Sequence, residues 1–183
     1  GAMIKPLLTL LSPAGRRARL SVLIFHRVLP QPDPLFPGEI HAAQFDAICR
    51  WVTGWFNVLP LDEAAQRLRE EALPERALAI TFDDGYADNH DVALPILQKH
   101  GLPATFFIAT GFLDGGRMWN DTVIESARRT ELPSLDLRGV CGVDLGIHPI
   151  ETPASRRAVI DRVIAGIKYM ETTERQAVVH HGR

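Results

Sequence analysis

Apolar positions in this chain fall into short continuous runs, separated by longer stretches in which they recur every three or four residues. The runs read as strands and the recurring stretches as helices, because side chains alternate along a strand but return to one helix face every ~3.6 residues. Residues 21–25 (Ser-Val-Leu-Ile-Phe) form the first run, and an unbroken apolar run predicts a strand covered on both faces. A proline-rich loop, residues 30–37, leads to a helix over 43–55 with Phe45, Ile48, Cys49, Val52 and Phe56 near one side. Residues 56–59 read as a short strand, and Asp62 opens a helix to about residue 71 with its carboxylates in the first turn. A buried strand over 77–82, a helix over 89–100 closed by Gly101, and a strand over 104–109 complete the regular part.

Strand and helix thus alternate through the first half, the pattern of βαβ units and a parallel α/β sheet or barrel. The opening, residues 1–20, is an N-terminal segment whose Gly1-Ala2 resembles the scar of a removed tag. Residues 21–121 form the α/β part and 122–183 a third segment. In it, helices are predicted over 122–129, 155–170 and from 173 onward, with an irregular insertion over 132–152. Asn120 or Asp121 is expected to cap the first of these helices.

Composition narrows the function classes. A net charge of −2 gives no concentrated basic surface for nucleic acid, and the cluster Arg16, Arg17, Arg19 reads as a solvated segment. No stretch approaches the ~18 apolar residues of a membrane span, and the opening is too interrupted for a secretory signal, so a cytoplasmic protein is expected, with association to the cell envelope the alternative. Cys49 and Cys141 form no CxxC pair, and Cys49 reads as a small buried hydrophobe.

Candidate chemistry gathers after the strands, since parallel α/β folds place function where the strands end. His26 follows the first strand, Asp83-Asp84-Gly85 follows the third, and Thr110-Gly111 the last. Adjacent carboxylates point in different directions and can serve two tasks, one holding a divalent metal and the other activating water. Their plainer reading is a helix cap with spare charge. His41, His90 and His100 read as loop or helix-surface residues, and Trp119 as a possible substrate contact after a glycine-rich turn.

The context is more specific than the pair. Ala79-Ile80-Thr81-Phe82-Asp83-Asp84-Gly85-Tyr86, then a helix, then Gly101-Leu102-Pro103-Ala104-Thr105-Phe106-Phe107-Ile108 resembles the first motif of the polysaccharide deacetylases, carbohydrate esterase family 4. Phe25-His26-Arg27-Val28 resembles that family's first strand. The resemblance implies an incomplete (β/α) barrel and a hydrolase removing N-acetyl groups from a carbohydrate. It implies Asp83 as catalytic base and Asp84 as ligand of a divalent metal, zinc by preference. His26 is a further candidate ligand, and Tyr86, Thr110 and Trp119 are candidate substrate contacts.

The family's second motif, a histidine pair spaced H-[ST]-x-x-x-H, is missing, as is its Arg-x-Pro-Tyr segment. His148 has no histidine partner at that spacing, and His180-His181 are adjacent. Either the chain stops before the second motif, or it is a non-catalytic carbohydrate-binding relative. An amidase acting on a non-sugar amide is a third reading. A haloacid-dehalogenase-type phosphatase is rejected, because its D-x-D-G-T motif spaces the carboxylates one residue apart. An incomplete barrel would also expose strand edges that favour self-association.

Overall fold

The computed structural model describes residues 4–112, 118–138, 145–168 and 170. The chain divides into two compact units, Gly1–Asp33 with Gly38–Ala109, and Pro34–Pro37 with Thr110–Arg183.

The first unit is the α/β part. Its elements are α1 (Ile4–Leu11), β1 (Leu20–Phe25), α2 (Ala42–Trp55), β2 (Asn57–Val58), α3 (Leu61–Arg69), β3 (Ala77–Phe82), α4 (Leu94–His100) and β4 (Thr105–Phe106). All pairings in the sheet are parallel, as βαβ connections require. β3 is the centre, with every residue buried. β1 lies along one edge from Leu20↔Ala77 to Phe25↔Phe82. The other edge is shared, β2 pairing with Ala77 and Leu78, and β4 with Thr81 and Phe82. The α/β class with parallel strands is therefore as expected, in an open four-stranded sheet that does not close into a barrel among the described residues.

Leu78, Ile80 and Phe82 project to one face and pack with Phe25, Phe45, Cys49, Val52 and Leu97, placing α2 and α4 over that face. Phe82 anchors the cluster, stacked on Phe25 at 5.3 Å and on Phe106 at 4.9 Å between centroids. Burial pushes the Cys49 thiol up to about 11, in keeping with an inert core residue. α2 and α4 are also tied by charge. The Asp46 carboxylate meets Lys99 Nζ at 2.6 Å, His100 Nε2 at 2.9 Å and Arg50 at 3.0 Å, and hydrogen bonds from Lys99 and then His100 hold its carboxyl below the usual range. His100 is thus a half-buried link between helices rather than a surface residue. His41 sits at the start of α2, and His90 stays exposed beside Asp91.

Several expectations needed correction. β1 is not covered on both faces: Val22 and Ile24, on the face opposite the core, are 41% and 62% exposed, because no described element covers that face of the open sheet there. The helix expected over 89–100 begins as a π-helical turn, Asn89–Ala93, before α4. Gly101 closes α4 in the left-handed conformation, with Leu102 N–H reaching the Leu97 carbonyl at 3.0 Å, as expected of a C-terminal glycine. Only Thr105–Phe106 of the run 104–109 pairs as strand. The N-terminal segment, left without structure by sequence patterning, forms α1.

The second unit joins α5 (Trp119–Arg129) and α6 (Pro153–Ile167) with an antiparallel pair, β5 (Ser134–Asp136) and β6 (Ile147–Pro149). Part of the stretch read as irregular is therefore an antiparallel strand pair, whose three-residue strands are too short to show a period. Its core holds Leu137, Ile150, Val159, Val163 and Ile167. Met118, not Asn120 or Asp121, precedes the first turn of α5, and Thr152 caps α6 by accepting from Ser155 N–H at 3.1 Å. Cys141, His180, His181 and the helix expected from residue 173 lie outside the described residues.

Candidate functional site

The site is built where β1 and β3 end side by side. The ladder runs one step past the strands, Asp83 N–H donating to the Phe25 carbonyl at 2.9 Å, so Asp83 is held as firmly as the strand itself. The chain then turns sharply, Gly85 N–H reaching the Asp83 carbonyl at 3.0 Å, with Asp84 and Gly85 both at φ +71°. A left-handed Asp costs on the order of 1 kcal/mol, less than for most residues because its side chain bonds locally. Gly85 is required twice over: a Cβ there would also sit 3.0 Å from Ile108 Cγ2.

This turn brings Asp84 to His26. Their Oδ2 and Nδ1 atoms lie 3.0 Å apart, with the side chains 36% and 60% exposed. The next residue after His26 and a residue four beyond Asp84 make a second bridge. Arg27 Nε and Nη2 reach Asp88 Oδ2 at 2.9 and 2.8 Å, and its guanidinium carbon stands 4.5 Å from the Tyr86 ring centroid. Two consecutive residues after β1 therefore fasten the whole Asp84–Asp88 segment. Arg27 and Asp88 were given no role by sequence reasoning. The available signal was an arginine beside the candidate histidine and a further aspartate four residues beyond Asp84, both within loops at strand ends.

The structure thus brings together His26, Asp83, Asp84 and Tyr86 in the first unit. Thr110 (in a 3-10 turn, Thr110–Phe112) and Trp119 (the first residue of α5) belong to the second. His148, read as a loop residue, lies instead in β6 with Nε2 at 3.1 Å from Arg162 Nη1.

Whether these residues suit a metal can be judged from the donor set. Asp84 and His26 offer a carboxylate oxygen and an imidazole nitrogen, types that fit zinc and related divalent ions. The number falls short. Tight zinc sites take at least three protein ligands, and among the described residues no group of three or more His, Cys, Asp or Glu could hold a metal ion.

Part of the chain is similar to known proteins. Residues 70–133 match the family model for polysaccharide deacetylase. YxkH of Bacillus subtilis (strain 168), named as a candidate polysaccharide deacetylase, is 30% identical over 93 residues, covering 50% of this chain and 32% of that protein. A poly-β-1,6-N-acetyl-D-glucosamine N-deacetylase of Staphylococcus aureus (strain MSSA476) is 28% identical over 95 residues, 51% of this chain and 33% of the relative. A solved de-N-acetylase from Aggregatibacter actinomycetemcomitans aligns with a TM-score of 0.45 at 29% identity, over 53% of this chain and 40% of that one. The chain spans about a third of the length of the curated relatives it matches. The matched residues 70–133 include the Asp83-Asp84 turn, the part of the chain whose motif resembles this family.

Proposed function

We propose that this chain carries the base and the first metal ligand of a hydrolase that removes N-acetyl groups from a sugar polymer. The observation behind the reading is the Asp83-Asp84 pair at the end of buried β3, turned so that Asp84 meets His26 at 3.0 Å. The S. aureus relative's name supports an N-acetylated glucosamine polymer as the substrate class.

Asp83 would act as general base, accepting a proton from the water that attacks the acetamide carbonyl. Its fixed backbone suits that task, because proton transfer depends on a heavy-atom approach of about 3 Å. Asp84 and His26 would supply two of the three or more ligands that a divalent cation, zinc by preference, requires, and such a cation would supply Lewis-acid polarisation of the carbonyl. Tyr86, whose ring carries the Arg27 guanidinium, would border the sugar beside this pair. Water adds to the amide, the C–N bond breaks, and acetate and a free amine leave.

The test is calorimetric titration of zinc and cobalt into the chain and into Asp84→Ala, with acetate release from N-acetylglucosamine oligomers followed in parallel. Micromolar binding lost in the variant supports the metal role. Absence of binding, or equal binding by the variant, refutes it for this chain and favours carbohydrate binding without catalysis. Full acetate release by Asp83→Asn would remove Asp83 as the base.

A further inference from the structure

We propose that α1 and the basic turn after it dock this protein on an anionic membrane surface. The inference is independent of the deacetylase reading.

α1 is attached the wrong way round for a helix that stabilises a core. Its hydrogen bonds to the fold are polar, with Leu8 and Thr9 partly covered: Thr9 Oγ1 accepts from the Arg76 guanidinium, and Arg76 N–H donates to the Ser12 carbonyl at 2.9 Å. No residue of α1 is buried. Leu7, Leu10 and Leu11, spaced to share one side, are 57%, 78% and 55% exposed. Arg76 also donates to the Trp55 carbonyl, so the last turn of α2 borders α1, and there Trp51 stacks on Trp55 with 56% of its own surface exposed. Leucines flanked by tryptophans suit the boundary between lipid headgroups and acyl chains.

Charge selects the occupant. Lys5, Arg16, Arg17 and Arg19 flank the leucines in sequence, and the first acidic residue in the chain is Asp33. Arg16 also meets Glu71 at 3.8 Å in an exposed pair. A second copy laid on this face would oppose two sets of these cations, whereas anionic headgroups neutralise them. Arg16, Arg17 and Arg19, which sequence patterning reads as a solvated segment, thus acquire a use. Placement agrees, since Arg19 and Arg76 immediately precede β1 and β3. The docking face lies at the N-terminal ends of these strands, and the Asp83-Asp84 turn lies at the other. A bilayer held there leaves the carboxylates open.

The experiment is co-sedimentation of the chain with vesicles of phosphatidylcholine alone or with about a third phosphatidylglycerol, where each basic residue near the anionic surface strengthens binding on the order of fivefold. Binding should favour the anionic vesicles, and should fall at least about tenfold in Leu7→Asp/Leu10→Asp and in Arg16→Glu/Arg17→Glu. Ile24→Ser, which removes an exposed apolar side chain elsewhere, should bind as the parent does. Circular dichroism of each variant separates lost docking from lost fold, and the charge reversal touches no apolar contact. Equal sedimentation with both vesicle types overturns the proposal. So does unchanged binding by both variants, or a dimer in solution that Leu10→Asp converts to monomer.

Discussion

Replacing Gly85 with alanine tests the geometry of the aspartate turn directly. The φ of +71° at this position costs a residue with a Cβ about 1–2 kcal/mol. The new Cβ would also lie 3.0 Å from Ile108 Cγ2 and 3.4 Å from Ile108 Cα, inside the ~3.5–4.0 Å optimum for carbon pairs. Ile108 is 54% exposed, so its methyl can swing away, but its Cα cannot. Against this, alanine narrows the unfolded ensemble and returns about 0.4–1 kcal/mol. With about 1 kcal/mol more for the tight contact with Ile108, the net expectation is a loss of about 1–2 kcal/mol, read as a lower urea midpoint by far-UV circular dichroism. Ile108→Ala supplies the second corner of a double-mutant cycle. In that background the methyl contact is gone and the backbone part remains, so Gly85→Ala should still cost about 1 kcal/mol. A Gly85→Ala variant within ~0.5 kcal/mol of the parent would refute the turn as described.

Other perturbations follow from features outside the turn. Phe82→Ala empties the centre of a stacked aromatic cluster and should cost about 3–5 kcal/mol, enough to abolish the cooperative thermal transition of a marginally stable unit. Thr152→Ala removes the cap of α6 and should cost about 1 kcal/mol, seen as a lower thermal midpoint, with Thr152→Ser restoring it. Because the Asp46 carboxyl is held below its unfolded value, its contribution is fully present above pH ~4 and is lost as the solution is acidified further. Asp46→Asn should therefore flatten the acid limb of a stability–pH profile, and an unchanged limb would show that the Lys99–His100–Arg50 cluster contributes nothing there.

Legibility followed burial. The strand over 77–82 was read to the residue, because all six side chains are enclosed and an apolar run encodes enclosure. The adjoining run of β1 was placed correctly but misjudged in environment, since Val22 and Ile24 are apolar in sequence yet face no cover. α1 gave no signal, for three of its four leucines are exposed and its hydrogen bonds to the fold are polar, unlike the pattern that marks a packed helix. At the site, the motif pointed to the aspartates and the strand end pointed to His26. Arg27 and Asp88 went unnoticed because their bridge joins residues 61 apart, and no local pattern reports a contact of that span.

The division of one edge of β3 between β2 and β4 has a consequence for how the strand opens. Ala77 and Leu78 are secured by β2, Thr81 and Phe82 by β4, while β1 runs the full length of the other side. The two ends of a single strand thus belong to different cooperative units. Amide exchange should reveal them as separate protection classes, the rim end releasing its protons whenever two-residue β4 detaches, with the base still closed. The segment presenting the aspartates can therefore breathe without the sheet coming apart.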